Sequence, residues 1–351
     1  MIKYLGSKRT LVPLLSSLAA ASGAQTALDL FTGTTRVAQA LKRQGLTVSA
    51  VDLASYSEVF SRTWISLNAD TANQTELTAA LADLNATVGV PGYFTKTFCE
   101  DARFFQPQNG AKVDAIRDRI EHEYKTSWMY PPLLTSLILA ADRVDSTTGL
   151  QMAFLKSWAS RSFNQLELRD PGLIAGEGFS YRGDALELAA TLPPTDLAYL
   201  DPPYNQHRYF ANYHIWETLT RWDHPEVYGI ANKRVDVRDP ETKSAFNSKR
   251  EIATSIEKLL TDVRAETLIL SYNNESWLSK DDLIAICEPR GHVAVLEVDF
   301  KRYVGAQIGI FNQSGKKVGE PKHQRNLEYV VLVGDRKRVE KMVAASKAKA
   351  G

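Results

Sequence analysis

Residues 195–205, TDLAYLDPPYN, decide the fold of this chain. The apolar run Leu197–Leu200 is typical of a strand buried in a parallel sheet. Two prolines follow Asp201, and they end the strand because proline lacks a ladder N–H and fixes its own φ angle. Ligands of open α/β sheets bind beyond the carboxyl ends of the strands. The sequence therefore predicts that the acid, the stiff turn and the tyrosine that follows lie in the functional site.

The side chains of this turn suit the recognition of an amino group on a flat ring. Asp201 can accept one N–H of that group, the rigid carbonyl of Pro202 can accept the other, and Tyr204 can stack on the ring. A base taken out of a duplex is read by such edge hydrogen bonds and by stacking. Asp201, Pro202, Pro203 and Tyr204 are therefore the predicted catalytic residues. A strand end with a Pro-Pro turn and no chemistry is the alternative interpretation of these four residues.

A nucleotide-binding unit is predicted near the N-terminus. Ala27–Phe31 is typical of a buried strand, the turn after it contains Gly33, and a helix then leads to a second strand that closes on Asp52. In such units glycine lets the backbone approach the ligand, and an acid about 20 residues further on binds the ribose hydroxyls. With one glycine rather than three, the pattern alone is a weak fingerprint.

Several motifs together resemble the adenine-N6 methyltransferases of DNA that carry a DPPY motif. The resemblance rests on YLGSK at 4–8, DLFTGTT at 29–35, GDA at 183–185, DPPY at 201–204, NYHIWETL at 212–219 and SYNNE at 271–275. It covers nearly the whole chain in the order of the family. It implies transfer of a methyl group from S-adenosyl-L-methionine, with S-adenosyl-L-homocysteine as the product.

The resemblance also implies which residues contact the cofactor. They are Tyr4, Lys8, Asp29, Phe31, Gly33, Thr34, Asp52, Asp184 and Ala185. Asp184 is placed to bind the amino group of the cofactor's adenine, and an N-cap role for the helix after it is a compatible alternative. Thr35 stands where the family often has glycine, which leaves the geometry of this loop open.

A helical insertion separates the two parts of the predicted catalytic domain. Residues 70–178 do not continue the alternation of strands and helices and are too long for an ordinary crossover connection. We predict a methyltransferase domain from 1–69 and 179–351, and the resemblance implies target recognition by the insertion. The basic and polar candidates for DNA contact there are Arg103, Asn109, Lys112, Arg117, Arg119 and Arg161. Solvated surface charge is the alternative interpretation.

Two further regions are predicted to contact DNA. The first follows the catalytic turn, where polar and aromatic side chains can reach the target strand: Asn205, His207, Arg208, Asn212 and Tyr213. The second is the window 300–325, which holds six basic residues against Glu320 and suits phosphate binding. Its candidates are Lys301, Arg302, Lys316 and Lys317. The basic segment 232–250 is predicted to be a mobile loop beside the site.

Composition excludes several classes of protein. Net charge is +1, so nucleic-acid binding requires local basic patches. Cys99, Cys287 and the six histidines show no metal-ligand spacing, which predicts reduced thiols and no metal. No run approaches the roughly 20 apolar residues of a membrane helix, and no signal peptide is evident. We expect a cytoplasmic, nucleoid-associated protein encoded by a bacterium or phage.

The predicted fold is α/β, a Rossmann-like methyltransferase sheet with a terminal antiparallel hairpin and a helical insertion. The predicted function is site-specific methylation of adenine-N6 at a flipped base in double-stranded DNA, in a restriction–modification system with a possible cognate endonuclease. Methylation of cytosine-N4 or of an RNA base uses the same amine chemistry and stays open. A DNA-binding protein without catalysis is the alternative from another class.

Overall fold

A computed structural model describes residues 2–204, 208–301, 310–311, 317–319 and 325–347. The strands are β1 Thr26–Asp29, β2 Thr47–Asp52, β3 Gly178–Arg182, β4 Thr195–Leu200, β5 Val227–Tyr228, β6 Lys233–Arg234, β7 Ala265–Asn273, β8 His292–Lys301, β9 Ile310–Phe311, β10 Lys317–Gly319 and β11 Arg325–Gly334. Seven of them form one sheet in the order β3-β2-β1-β4-β7-β11-β8, and β5–β6 and β9–β10 form two short ribbons.

The sheet is parallel except at β11. Parallel pairing joins β3 to β2, β2 to β1, β1 to β4 and β4 to β7. Strand β11 runs antiparallel to both β7 and β8, and its pairing with β8 extends from Arg325 opposite Lys301 to Gly334 opposite His292. The predicted α/β sheet and its terminal antiparallel pair are confirmed. The direction of strand order reverses between β1 and β4, which is where ligands of such sheets bind.

Helices cover both faces of the sheet. They are α1 Val12–Ser22, α2 Arg36–Arg43, α3 Ser55–Ser61, α4 Gln74–Ala86, α5 Tyr93–Thr95, α6 Pro107–Tyr124, α7 Tyr130–Arg143, α8 Ala185–Leu188, α9 Tyr209–Asn212, α10 His214–Arg221, α11 Ile252–Asp262, α12 Lys280–Cys287 and α13 Arg336–Lys347. Short 3₁₀ or π turns lie at Lys8–Thr10, Arg62–Ser66, Lys96–Glu100, Ser160–Phe163, Val235–Arg238, Pro240–Thr242, Ala245–Asn247 and Glu288–Arg290.

Strand β4 shows how the core divides into two layers. Successive strand side chains point to opposite faces, so Leu197 and Tyr199 join one buried cluster and Ala198 and Leu200 join the other. The predicted apolar run is confirmed as a strand buried on both faces. Because β4 is buried on both faces, the position of its last residue, Leu200, is fixed in the sheet. Asp201 follows directly after it.

The segment between β2 and β3 is largely helical, as predicted, and shares a core with the sheet. Leu81, Ile116 and Leu134 belong to the same buried cluster as Val48 of β2. Residues 149–163 are an exception within this segment, because only the turn Ser160–Phe163 is helical there. The assignment of 70–178 as a separate domain stays a prediction.

Two aspartates of this helical segment fasten the N-terminal segment. The backbone N–H of Lys3 donates to Asp142 Oδ1 of α7 at 3.2 Å. The Lys3 ammonium lies 3.0 Å from Asp142 Oδ2 and 3.2 Å from Asp145 Oδ1. The chain is thereby held at the residue before Tyr4.

Thr35 takes the left-handed conformation that the resemblance assigns to glycine. Its φ is 61°, and its side chain is fully buried. The hydroxyl donates to Thr34 O at 2.7 Å and accepts from Gln39 Nε2 at 2.8 Å. A side chain in this conformation costs about 1–2 kcal/mol, and these two hydrogen bonds offset part of that cost. The loop therefore keeps its turn without the family's glycine.

We expect Thr35→Gly to change the free energy of unfolding by less than about 1 kcal/mol, because relief of backbone strain offsets the lost hydrogen bonds. Thr35→Val keeps the strain and leaves the Gln39 amide unpaired, so it should destabilise by about 1–3 kcal/mol. Urea denaturation of the three proteins measures the difference. Equal destabilisation by both substitutions would contradict this account.

Candidate active site

One pocket at the carboxyl ends of β1, β2, β3 and β4 contains every predicted catalytic and cofactor-binding residue. Its lining includes Tyr4, Lys8, Asp29, Phe31, Gly33, Thr34, Asp52, Asp184, Ala185, Asp201, Pro202, Pro203 and Tyr204. The sheet explains this convergence, since adjacent parallel strands deliver the residues after them to one edge.

A buried lysine between two carboxylates forms the centre of the pocket. Lys8 Nζ lies 3.0 Å from Asp201 Oδ1, and it also donates to Glu328 Oε1 of β11. The Lys8 side chain is 7% exposed and that of Glu328 3%. The same ammonium lies 5.6 Å from the centre of the Tyr204 ring. Three distant parts of the chain thus meet at one charge.

The cluster holds two carboxylates against one ammonium, and the pKa values reflect this. Burial opposes the charge of Lys8, but Asp201 and Glu328 raise the pKa of Lys8 well above its ordinary value. Burial raises the pKa of Asp201 to about 6, with Lys8 opposing the rise and Glu328 adding to it. Lys8 is therefore charged at neutral pH, and Asp201 is mainly ionised.

Asp29 and Asp52 add two more carboxylates to the same pocket. Asp29 Oδ2 accepts from Thr32 Oγ1 at 3.0 Å and from Ala38 N at 3.2 Å. Within the described part of the chain, Asp29 Oδ1 is buried with no hydrogen-bond partner. Burial, with Asp201 and Asp52 nearby, raises the pKa of Asp29 to about 7. The pocket thus favours a ligand that brings positive charge or hydrogen-bond donors.

Asp52 ties the end of β2 to the glycine loop. Its Oδ2 accepts from Gly33 N at 2.7 Å and its Oδ1 from Ala54 N at 3.0 Å. Burial raises the pKa of Asp52, while these backbone N–H groups hold it down. Gly33 has a φ of 51°, and a Cβ there would lie 3.2 Å from the Tyr4 ring. Glycine is needed at this position because Tyr4 closes on the loop.

Stacked tyrosines position the N-terminal motif. The Tyr4 ring lies 4.6 Å from that of Tyr213 and 5.4 Å from that of Tyr209, both in stacked geometry. Leu5 N donates to Tyr213 Oη at 2.6 Å. Tyr213 was predicted to contact DNA, but it is fully buried. In this structure it instead holds the backbone that leads to Lys8.

Asp184 serves as the N-cap of α8 and also lines the pocket. Its Oδ1 accepts from Leu186 N at 2.7 Å, which confirms the N-cap role, and the contact with the cofactor's adenine stays a prediction. Phe31 lies in the pocket wall and meets Phe246 edge to face at 5.2 Å. The segment 232–250, predicted to be a mobile loop, is packed here instead: Phe246 is buried, and Thr242, Ser244 and Asn247 line the pocket.

The sequence did not single out two charged residues of the site. Arg36 lines the pocket at the start of α2, and its Nε is buried without a partner among the described residues. Glu328 is the only acid in the otherwise apolar strand run LEYVVLV. A buried acid within such a run requires a partner, and that signal was available in the sequence.

The basic candidates of the helical segment are bound within the protein. Arg117 is fully buried and donates to Leu219 O at 2.7 Å, and Asn109 Nδ2 donates to Asn164 O at 2.9 Å. Lys112 donates to Asn85 O, Arg103 to Lys156 O, Arg119 to Asp83 and Glu123, and Arg161 to Asp145. These contacts supply a structural reason for each charge.

The remaining DNA candidates are placed as follows. Arg208 precedes α9 and is exposed, whereas Asn212 ends α9 and is 5% exposed. Lys301 ends β8 and Lys317 begins β10. Asn205, His207, Arg302 and Lys316 lie outside the described residues.

Among the residues that are described, no group of three or more histidine, cysteine or acidic side chains is arranged to hold a metal. None of the described helices has the length and apolar character needed to cross a bilayer.

The fold and the pocket define a class of protein. A sheet of this order, with one antiparallel strand inserted next to its last strand and a ligand pocket at the reversal point, is the Rossmann-like methyltransferase sheet that the sequence predicts.

A family model places the chain more closely. The model of the D12 class N6 adenine-specific DNA methyltransferases matches residues 4–286, and the chain belongs to this family. The match begins at Tyr4 and includes the DPPY turn. The family resemblance drawn from the sequence motifs is confirmed.

Two relatives are restriction–modification methylases. The chain is 30% identical over 328 residues to modification methylase StsI of Streptococcus sanguinis, covering 88% of this chain and 50% of that protein. It is 30% identical over 286 residues to Type II methyltransferase M.NlaIII of Neisseria lactamica, covering 78% and 83%. The chain thus spans half the length of the first relative and most of the second.

Among solved structures, the methyltransferase domain of bacterial CtHen1-C aligns with a TM-score of 0.32 at 10% identity, covering 92% of this chain and 96% of that chain. A precorrin-6y C5,15-methyltransferase from Geobacter metallireducens GS-15 aligns with a TM-score of 0.30, also at 10% identity, covering 95% and 92%.

Asp29 provides a test of the acidic pocket. Its folded pKa of about 7 lies above the unfolded value, so its ionisation destabilises the ligand-free fold progressively as pH rises from about 4 to 7. Asp29→Asn should therefore unfold at higher urea than the parent at pH 8, by on the order of 2–4 kcal/mol, with a smaller gap at pH 5.

Asp196→Asn is the matched control with the opposite sign. Asp196 Oδ2 accepts from Gln25 N at 2.8 Å and Thr26 N at 2.9 Å, and these bonds lower its pKa. Its ionised form stabilises the fold above the unfolded pKa, so Asp196→Asn should be less stable than the parent at pH 8. A destabilised Asp29→Asn at that pH would contradict the pKa assignment.

Proposed function

We propose that this chain is a site-specific DNA adenine-N6 methyltransferase, of the adenine-specific class that acts in restriction–modification systems. The observation that carries the proposal is the Asp201–Pro202–Pro203–Tyr204 turn, with Asp201 paired to Lys8 at 3.0 Å, inside the pocket that holds the nucleotide-binding loop. Family membership and the methylase relatives support the same reaction.

S-adenosyl-L-methionine is the proposed cofactor, and the donor set fits it. Four acids, the buried Asp29 and Glu328 and the half-buried Asp52 and Asp201, outnumber Lys8 and Arg36 around the pocket, which suits a ligand with a sulfonium and an ammonium group. The unpaired Oδ1 of Asp29 can accept from the ammonium group. Asp52 is assigned to the ribose hydroxyls and Asp184 to the adenine amine. When bound, this cofactor supplies an electrophilic methyl group.

The chain's own residues hold the target amine. A base flipped out of the duplex, at a cost of about a few kcal/mol, stacks on Tyr204. Asp201 and the Pro202 carbonyl accept the two N–H groups, which directs the nitrogen lone pair into the pocket. Positioning of this kind supplies much of the rate of a direct displacement. Asp201, with a pKa of about 6, is ionised at neutral pH and can take the proton that the nitrogen then loses.

The partner proposed is double-stranded DNA, with target recognition by the helical segment between β2 and β3. A cognate restriction endonuclease and a cytoplasmic, nucleoid-associated location belong to the same proposal. Cytosine-N4 or an RNA base presents the same kind of amine, so the product decides between these substrates. A DNA-binding protein without catalysis would fail to bind the cofactor.

The test is transfer of a tritiated methyl group to unmethylated genomic DNA, with identification of the labelled nucleosides. We expect label in N6-methyladenine. Label in N4-methylcytosine would mean that the methylated base is cytosine and not adenine. The absence of both label and cofactor binding would contradict the enzyme assignment.

Asp201→Ala should reduce transfer by at least about 1000-fold, since it removes both an acceptor for the amine and a partner of Lys8. Cofactor binding, measured by calorimetry, should fall much less, because the nucleotide-binding loop is unchanged. Asp196→Asn, on the opposite edge of the sheet, should retain the parent turnover. Wild-type turnover in Asp201→Ala would refute its assigned role.

Glu328→Gln should shift the acid limb of the turnover–pH profile to lower pH. The carboxylate of Glu328 raises the pKa of Asp201, so its neutralisation lowers that pKa, by about 0.5–1 unit. Without the Glu328 carboxylate, Lys8 pairs with Asp201 alone, and this closer pairing also lowers the pKa of Asp201. Turnover measured between pH 5 and 8 gives the shift, and an acid limb that stays in place or moves upward would be inconsistent with this coupling.

A further inference from the structure

A second recess lies beside α9, outside the pocket of the catalytic turn. It is lined by Arg208, Asn212, Tyr228, Lys233 and Arg238, together with apolar side chains. We name these five residues the α9 groove. The side chains that line it carry three positive charges and no acid.

The three cations of the groove have no carboxylate partner among the side chains that the structure describes. Among the side chains that the structure describes, no carboxylate lies within 4.0 Å of Arg208, Lys233 or Arg238 to form a salt bridge. Neighbouring Arg234, in contrast, pairs with Asp223 and Asp236. Arg238 lies 3.8 Å above the ring centre of Tyr228, which fixes its guanidinium at the groove wall. Three cations in one concave surface create a positive potential that attracts anions.

Asn212 supplies an independent sign of a missing ligand. The residue is 5% exposed, and its Nδ2 has no acceptor within the described part of the chain. An unsatisfied buried donor costs about 1–3 kcal/mol, so such a group is expected to have an acceptor when the protein performs its function. Asn212 is on the wall of the groove, where an anionic oxygen would be that acceptor.

The groove and the catalytic pocket share one short helix. Tyr209, the first residue of α9, lines the pocket and stacks on Tyr4, whereas Asn212, its last residue, lines the groove. Arg208 joins this helix to the segment that follows Tyr204. An extended polyanion that enters the pocket therefore passes the groove within the length of one helix turn.

We propose that the α9 groove binds a backbone phosphate of the DNA strand whose base enters the catalytic pocket. The inference rests on the proposed function and adds a site to it. Arg208, Lys233 and Arg238 neutralise the phosphate, and the Asn212 amide donates to one of its oxygens. Contacts of this kind position a strand without reading its sequence.

The test compares Arg208→Gln, Lys233→Gln and Arg238→Gln with the parent by fluorescence anisotropy on a labelled 30-bp DNA duplex in 50–300 mM KCl. Each substitution should weaken binding about tenfold at the lowest salt. Because the groove binds one phosphate, the three substitutions combined should reduce the slope of log K against log salt by about 0.9, and each alone by a part of that. The loss should be equal on duplexes of unrelated sequence.

Arg264→Gln is the matched control. Arg264 is exposed and precedes β7, at the edge of the sheet opposite the pocket, so its removal should leave both affinity and salt slope unchanged. An equal loss of DNA affinity in this control would mean that the effect comes from net charge alone, and it would overturn the proposed site. Thermal unfolding of each variant verifies that the surface substitutions leave the fold intact.

Asn212→Asp separates a ligand site from a structural role. It keeps the shape of the side chain and places a carboxylate among three cations, so thermal stability should rise or stay constant while DNA binding falls. If the parent binds and methylates DNA, and Asn212→Asp and the three Gln variants bind it equally well, the phosphate site is refuted while the proposed function stands. A parent that neither binds nor methylates DNA would refute the proposed function. Loss confined to an RNA duplex of the same sequence would assign the groove to RNA.

Discussion

The site depends on one buried ammonium group held between two carboxylates. Lys8, Asp201 and Glu328 come from the N-terminal segment, the end of β4 and the antiparallel strand β11. Removing Lys8 would leave the carboxylates of Asp201 and Glu328 without their shared counter-ion, which is more costly than the ion pairing is favourable. The catalytic turn is thereby held by the first and last parts of the chain, and the excess negative charge makes the pocket suited to a cation. The same arrangement gives β11 a contact with Lys8 of the pocket as well as a place in the sheet.

Much of this architecture could be predicted because its signals are local. The apolar run before Asp201, the glycine turn at Gly33 and the acid at Asp52 each follow from a few adjacent residues and the rules of parallel sheets. Glu328 is marked as an acid within an apolar run, but its partner Lys8 is 320 positions away, and no local pattern identifies that partner. Charge was equally uninformative in the helical segment, where a buried arginine such as Arg117 and a solvated one have the same appearance in the sequence.

Two residues show particular side-chain contacts overriding what a motif comparison suggests. Tyr213 follows the catalytic turn closely enough to suggest contact with the target strand, but its ring and hydroxyl support Tyr4 and Leu5 instead. Thr35 keeps a backbone conformation that favours glycine, because its hydroxyl is bonded on both sides within the loop. In both cases the decisive contact is a hydrogen bond of a side-chain hydroxyl, which a comparison of motif letters does not take into account.

The attachment of Lys3 to Asp142 and Asp145 bears on how the helical segment can be exchanged between relatives. These two aspartates lie in and just after α7, in the helical segment, whereas Lys3 directly precedes the motif that carries Lys8. The segment also grips the chain after the catalytic turn, where Arg117 donates to Leu219 O and Thr220 O. A chimaera that exchanges only this segment would lose the contacts of Lys3 with the two aspartates and those of Arg117 with α10. Its design must carry the N-terminal residues and α10 along with the graft, so the exchangeable unit is larger than the segment itself.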